Sequence, residues 1–139
     1  KHNLLERSIQ IVIDIPSDIT IYGNTSKLFQ VINNLLINAI ESFDSTHICD
    51  KTISVRYRQG LAFHTVLIQD NGKGMRKETL KNIFTPFYSS KLTKGIGLGL
   101  FLCKDIIEHD FKGFIKVKSF VGRGSKFMVK IARSKREPA

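Results

Sequence analysis

Residues 24–43, NTSKLFQVINNLLINAIESF, decide how the rest of the chain is organised. Leu28, Ile32, Leu35, Leu36, Ala39 and Phe43 recur at the period of an amphipathic helix running from about Thr25 to Phe43. Asn24 or Thr25 suits the N-cap, where a short side-chain oxygen accepts from an otherwise orphaned backbone N–H. Beside the apolar stripe runs a polar one of Lys27, Gln30, Asn34, Asn38 and Glu41. A bland surface stripe favours Lys and Glu, which are better helix formers than Asn. Asn34 and Asn38, one turn apart and flanked by Leu35, Leu36, Ile37, Ala39 and Ile40, suit a half-buried site that needs neutral oxygen ligands, as magnesium does. Taken alone, pairing of these asparagines with nearby backbone explains them better.

Working outward, Ile9, Ile11, Ile13 and Ile15 alternate with Gln10, Val12 and Asp14, which predicts a strand over 9–15. Pro16-Ser17-Asp18 turns the chain, and Ile19-Thr20-Ile21-Tyr22 is expected as a second short strand. Residues 52–58 and 63–69 form two strands joined across Gln59-Gly60, and a short helix follows near Lys77–Asn82. Residues 85–97 make a polar, glycine-containing loop. The stretch from about Leu98 to His109 is apolar nearly all round and predicts a buried helix. Ile115 and Val117, then Phe127, Val129 and Ile131, alternate with Lys116, Lys118, Met128 and Lys130, so Gly122-Arg123-Gly124 closes a hairpin with one solvated face. Residues 133–139 are a basic tail, expected to fray. With no internal repeat and no low-complexity linker, residues 1–132 constitute one α/β domain.

Composition sets the bounds. A chain of 139 residues with 42% apolar residues can bury one sizeable core. No apolar run approaches the roughly 20 residues of a membrane-spanning helix, and no signal peptide is visible. The first residue is Lys1 rather than Met, which points to excision from a longer protein. Cys49 and Cys103 lack paired spacing and a His cluster, which fits a reducing cytosol better than a disulfide or zinc site. Lys and Arg number 22 against 12 Asp and Glu, a net charge of +10 that attracts anions of several classes, although a plain solvated surface accounts for it equally.

Three further stretches carry chemistry. Asp70 shares a strand face with Val66 and Ile68, so an inward-pointing face puts a carboxylate at the rim of the core, in need of a donor such as the exocyclic amine of adenine. Asn71-Gly72 is also a hairpin signal, but Met75-Arg76-Lys77-Glu78-Thr79-Leu80 does not alternate like a returning strand. Gly72 and Gly74 instead point to backbone passing close to something flat. Gly95-Ile96-Gly97-Leu98-Gly99-Leu100 leads into a helix whose free N–H groups can hold phosphate. Its spacing is neither the Rossmann fingerprint nor a P-loop. Between them, Phe84 and Phe87 are expected to pin the base of a loop from which Ser89, Ser90, Lys91 and Lys94 face a ligand or solvent.

In this order, the elements resemble the nucleotide-binding domain of sensor histidine kinases, within the superfamily shared with gyrase, a heat-shock chaperone and the mismatch-repair ATPases. Gln30 through Ala39 is similar to the N box, Asp70 through Met75 to the first glycine box, and Phe84 through Tyr88 to the phenylalanine box. Gly95 through Leu100 resembles the second glycine box and Gly122 through Phe127 the closing motif, with Ser125 where Thr is commoner. The resemblance implies an α+β fold, a two-layer sandwich of the Bergerat type with a mixed sheet packed against helices and a mobile ATP lid over about Thr85–Ile96. It implies ATP and Mg2+ as cofactors. Asn38 would be the metal ligand, and Asn34 its partner near the phosphates. Asp70 would bind the adenine amine, with Ser125 assisting through water, and Lys91 would approach the phosphates. Phe87 and the glycines Gly72, Gly74, Gly95, Gly97 and Gly99, with Leu98, complete the implied nucleotide site.

One position separates kinase from ATPase. Hydrolysing relatives carry a Glu general base where Asn34 stands, and an amide cannot accept that proton. The domain is thus suited to transfer the γ-phosphoryl group to a group already nucleophilic, such as neutral imidazole. Departures from the family pattern are Glu41 where many relatives carry Lys or Arg, Asn24 where Asp is common, and His109-Asp110-Phe111-Lys112-Gly113 in place of a shorter turn. The implied parent is a two-component homodimer whose dimerisation domain bears the acceptor histidine and whose phosphate passes to a response-regulator receiver domain. The domain itself is expected to be cytoplasmic, without nucleic-acid or membrane contact, whether or not the parent is anchored. A serine kinase of the anti-sigma-factor type and a pure interaction module with a degenerate site are the rival readings. None of His2, His47, His64 and His109 sits in an acidic, Pro-containing helical context. Incubated with radiolabelled ATP, this chain is expected to leave all four unlabelled; phosphate on any of them would refute the assignment.

Overall fold

The computed structural model describes residues 8–88, 99–135 and 137. Alternation in the sequence yields five strands: β1 Gln10–Asp14, β2 Thr52–Gln59, β3 Phe63–Asp70, β4 Phe114–Phe120 and β5 Gly124–Ala132. They form one sheet in the order β1-β2-β3-β5-β4, with β1 parallel to β2 and every other pairing antiparallel. A parallel pair needs a crossover, and helix α1, Thr25–Glu41, supplies it between β1 and β2. The Asn24 side chain caps α1 by accepting from the Lys27 amide at 3.0 Å. Helix α2, Lys77–Asn82, and helix α3, Gly99–His109, follow β3, and α1 and α3 pack on each other and on one sheet face. This is the expected two-layer arrangement of mixed sheet and helices.

The core lies between the layers. Val31 and Leu35 of α1 meet Val55, Val66, Ile68, Phe127, Val129 and Ile131 of the sheet and Cys103, Ile106 and Ile107 of α3. Strand alternation puts these sheet residues on the helix side and turns Arg56, Leu67 and Met128 to the other side.

Several expectations change. Residues 19–22 form no strand, because β1 already occupies the sheet edge and the segment has no ladder partner; Ile21 packs on the core instead. Strand β1 is present, yet all five residues are exposed, with Ile13 at 69%. Helix α3 is buried along one side only, at Cys103, Ile106 and Ile107. The tail does not simply fray. Arg133 donates to the Gly60 carbonyl at 3.1 Å, and Glu137 Oε1 lies 2.6 Å from His64 Nε2, whose ring Nδ1 is 2.6 Å from the Tyr57 hydroxyl. Desolvation pushes the Glu137 carboxyl up, but the Ser134 amide, His64 and Arg133 outweigh it and hold the pKa below the usual carboxylate value.

Candidate nucleotide site

Asp70 ends β3 on the core side, next in line after Val66 and Ile68, and is only 3% exposed. Among the described residues it forms no ion pair. Its partners are neutral: the Gly72 amide donates to Oδ1 at 2.8 Å, and the Ser125 amide and Ser42 hydroxyl also bond to the carboxylate. The Ser42 proton is contested, since Ser42 Oγ also lies 2.6 Å from the Ala39 carbonyl and a hydroxyl has one proton to give. Burial pushes the Asp70 pKa above the ordinary carboxylate value, and the Gly72, Ser42 and Ser125 hydrogen bonds pull it only part of the way back.

The chain after Asp70 is a loop, as its lack of alternation predicted, and it is tied on every side. Asn71 accepts from the Thr52 amide at 2.8 Å and donates to the Asp50 carbonyl at 2.7 Å. The Lys73 amide donates to the Ser42 carbonyl, and the Met75 amide to Ser119 Oγ at 2.8 Å. Ser119 Oγ lies 2.7 Å from Ser125 Oγ. The glycines serve close approach, but to protein rather than to open space. A Cβ on Gly72 would stand 2.1 Å from Ser42 Oγ, and one on Gly74, at φ +71, would stand 2.0 Å from the Phe120 carbonyl.

Along α1, Asn34, Asn38 and Ser42 succeed one another at i+4 on one face. Asn34 Nδ2 is 3.5 Å from the carbonyl of Gly99, the first residue of α3. The Asn38 carboxamide, half-buried, makes no hydrogen bond among the described residues. Ser42 touches Asp70. Asn34 and Ser42 are thus about 12 Å apart along the helix axis, linking the N-terminus of α3 at one end to the buried carboxylate at the other.

The remaining sequence candidates divide. Phe84 packs against the core, but Phe87 is 72% exposed with φ +66, so only the first pins the loop. Ser89, Ser90, Lys91, Lys94, Gly95, Gly97 and Leu98 lie outside the described residues. Burial pushes the Cys103 thiol up to about 11, which leaves it a core residue beside Asn34. Ser42 and Ser119 were missed. Ser42 carried a signal, because it extends the Asn34–Asn38 ladder by one turn; Ser119 carried none. A separate cavity of about 590 Å³, lined by Tyr22, Tyr57, His64 and Arg133 among others, sits at the other end of β3. Six residues of strand, about 20 Å, separate His64 from Asp70, so this cavity is not the Asp70 site.

The raised pKa has a signed consequence. An acid whose pKa rises on folding holds its proton more tightly when folded, so its contribution is most favourable below the ordinary carboxylate pKa and is lost as pH rises through the raised one. In urea melts without nucleotide, the wild type is expected to lose stability relative to Asp70→Asn as pH rises from the carboxylate range towards neutrality. A difference independent of pH would contradict this.

Residues 23–135 match the family model described as histidine kinase-, DNA gyrase B-, and HSP90-like ATPase. A probable C4-dicarboxylate sensor kinase of Halalkalibacterium halodurans is 30% identical over 94% of this chain and 25% of its own length. Sporulation kinase C of Bacillus subtilis is 42% identical over 78% of this chain and 24% of its own length. The chain therefore spans about a quarter of the length of these relatives. Among solved structures, the nucleotide-free catalytic domain of histidine kinase ThkA superposes with a TM-score of 0.77 at 27% identity, covering 90% of this chain and 79% of that one. Together with the Asp70 loop and the asparagine ladder, these likenesses show that the chain belongs to the histidine kinase-, DNA gyrase B-, and HSP90-like ATPase family, as a catalytic, ATP-binding domain of the sensor histidine kinase type.

Proposed function

We propose that this domain binds Mg-ATP and passes the γ-phosphoryl group to a histidine on a dimerisation domain outside this chain, within a two-component protein that phosphorylates a response-regulator receiver domain. The observation that carries the proposal is the ladder on α1, which connects a helix N-terminus suited to phosphate with a buried carboxylate suited to an amine donor. Adenine sits at the Asp70 end, its exocyclic amine donating to the carboxylate, with Ser125 assisting through water. Gly72 and Gly74 hold the loop beneath the base.

At the other end the phosphates face Asn34, and the α3 N-terminus that opens with Gly99 supplies backbone N–H groups. The half-buried Asn38 carboxamide fits a magnesium ion, which takes hard neutral oxygen donors and keeps its waters and substrate phosphates around them. Bound there, the ion would neutralise charge developing on the phosphate oxygens. Phe87, Lys91 and Gly95 would belong to the lid that completes the site, and Gly97 and Leu98 to the glycine box that leads from it into α3. Asn34 orients but cannot deprotonate water, so hydrolysis lacks its base and the acceptor must bring its own lone pair.

Supplied with Mg-ATP and a histidine-bearing dimerisation domain in trans, the chain is expected to label that histidine with acid-labile phosphate. Asn38→Ala is expected to remove the magnesium dependence of nucleotide binding. Acid-stable phosphate on serine, or release of phosphate to water without transfer, would overturn the proposal.

A further inference from the structure

The sheet face turned away from the helices is a field of cations. Arg56, Leu67, Met128 and Lys116 lie in register across β2, β3, β5 and β4. The next row is Arg58, Thr65, Lys130 and Phe114, and on the far side Lys126 stands directly opposite Lys118. Against these six basic residues the same face of the five strands offers a single carboxylate, Asp14, opposite Arg56. Among the described residues none of the six is in an ion pair. Like charges directly opposite in a sheet are destabilising, so the Lys118–Lys126 pair costs stability without an internal return.

The chemistry of the face narrows the partner. Its aromatic residues are already engaged: the Phe63 and Phe114 rings meet edge-on at 5.3 Å, and Lys116 Nζ lies 5.7 Å from the Phe114 centroid. That leaves little platform for stacking nucleic-acid bases, and among the described residues no helix or ribbon rises from the face to enter a duplex groove. Four of the six cations are Lys, which protein interfaces disfavour. Thr65 and Leu67 are buried beneath the long side chains of this face, the half-buried Met128 lies between the cations, and Leu61, 99% exposed, tips the β2–β3 turn at the Arg58 end. A broad basic sheet with Met128 partly accessible among the cations and one projecting Leu fits the headgroup layer of a lipid bilayer.

We propose that the outer face of the sheet docks on an anionic membrane surface, its Lys and Arg side chains against lipid headgroups and Leu61 at the interface. This reverses the expectation of no membrane contact. Docking this way leaves the helix face, with Asn34, Asn38 and Asp70, turned away from the lipid.

The test is co-sedimentation of the 139-residue chain with phosphatidylcholine vesicles, with and without phosphatidylglycerol. The chain is expected to bind only the anionic vesicles, with binding falling as salt rises. Each basic side chain near such a surface strengthens attraction about fivefold, so Lys118→Gln with Lys126→Gln should weaken binding about thirtyfold. The same loss of charge at Lys77 and Lys81, exposed on α2, should cost far less, and Leu61→Gln should weaken binding without changing the salt dependence. Equal loss from both double variants, or equal binding to neutral and anionic vesicles, would overturn the proposal. A DNA oligonucleotide that binds more tightly than the vesicles, and loses its binding with the Lys118/Lys126 variant, would overturn it too.

Discussion

The organisation of this domain follows from one buried carboxylate that has no charged partner among the described residues. Asp70 ends a strand face that also carries His64, Val66 and Ile68, and an ionised group placed beside the apolar pair loses its hydration. The fold offsets part of that loss with the Gly72 and Ser125 amides and a share of the Ser42 proton. For those donors to reach it, three backbones must converge. The loop after β3 presses on Ser42, the end of α1 turns beneath it, and the start of β5 passes so close that a Cβ on Gly124 would stand 2.0 Å from the Asp70 carbonyl. The balance remains incomplete, because the carboxyl still titrates above its usual range. A ligand that brings a donor to this point gains more there than it would on the surface.

Much of this was legible because the signals were local. The α1 stripe, the Asn24 cap, the α2 boundaries and the closing hairpin each depend on spacing within a few residues, and each is found where the pattern placed it. The inward face of β3 was legible too, because period-two alternation carries a carboxylate wherever it carries Val66 and Ile68.

What escaped depends on contacts distant in the chain. Ile19 to Tyr22 alternates like a strand, but only topology decides whether a partner edge exists. The apolar circumference of α3 gives no clue that one side remains partly open. Val31, fully buried between α1 and α3, was left out of the α1 stripe although it sits at its centre. Ser119 belongs to no local motif, and its role comes from meeting Met75 and Ser125 across the sheet end. The tail likewise gives no sequence hint of docking, since Glu137 and His64 are far apart in the chain and become neighbours only when β3 and β5 pair.

Asp70 as the reader of adenine is the central claim, and calorimetric titration of ATP and GTP into the wild type and Asp70→Asn tests it most directly. The account predicts that the wild type prefers ATP, whose base carries an amine where guanine presents a carbonyl. It predicts that Asp70→Asn loses about 1.5–3 kcal/mol of ATP affinity, roughly ten- to a hundred-fold, and most of the preference with it. A folded Asp70→Asn variant that binds ATP as tightly and as selectively as the wild type would contradict it.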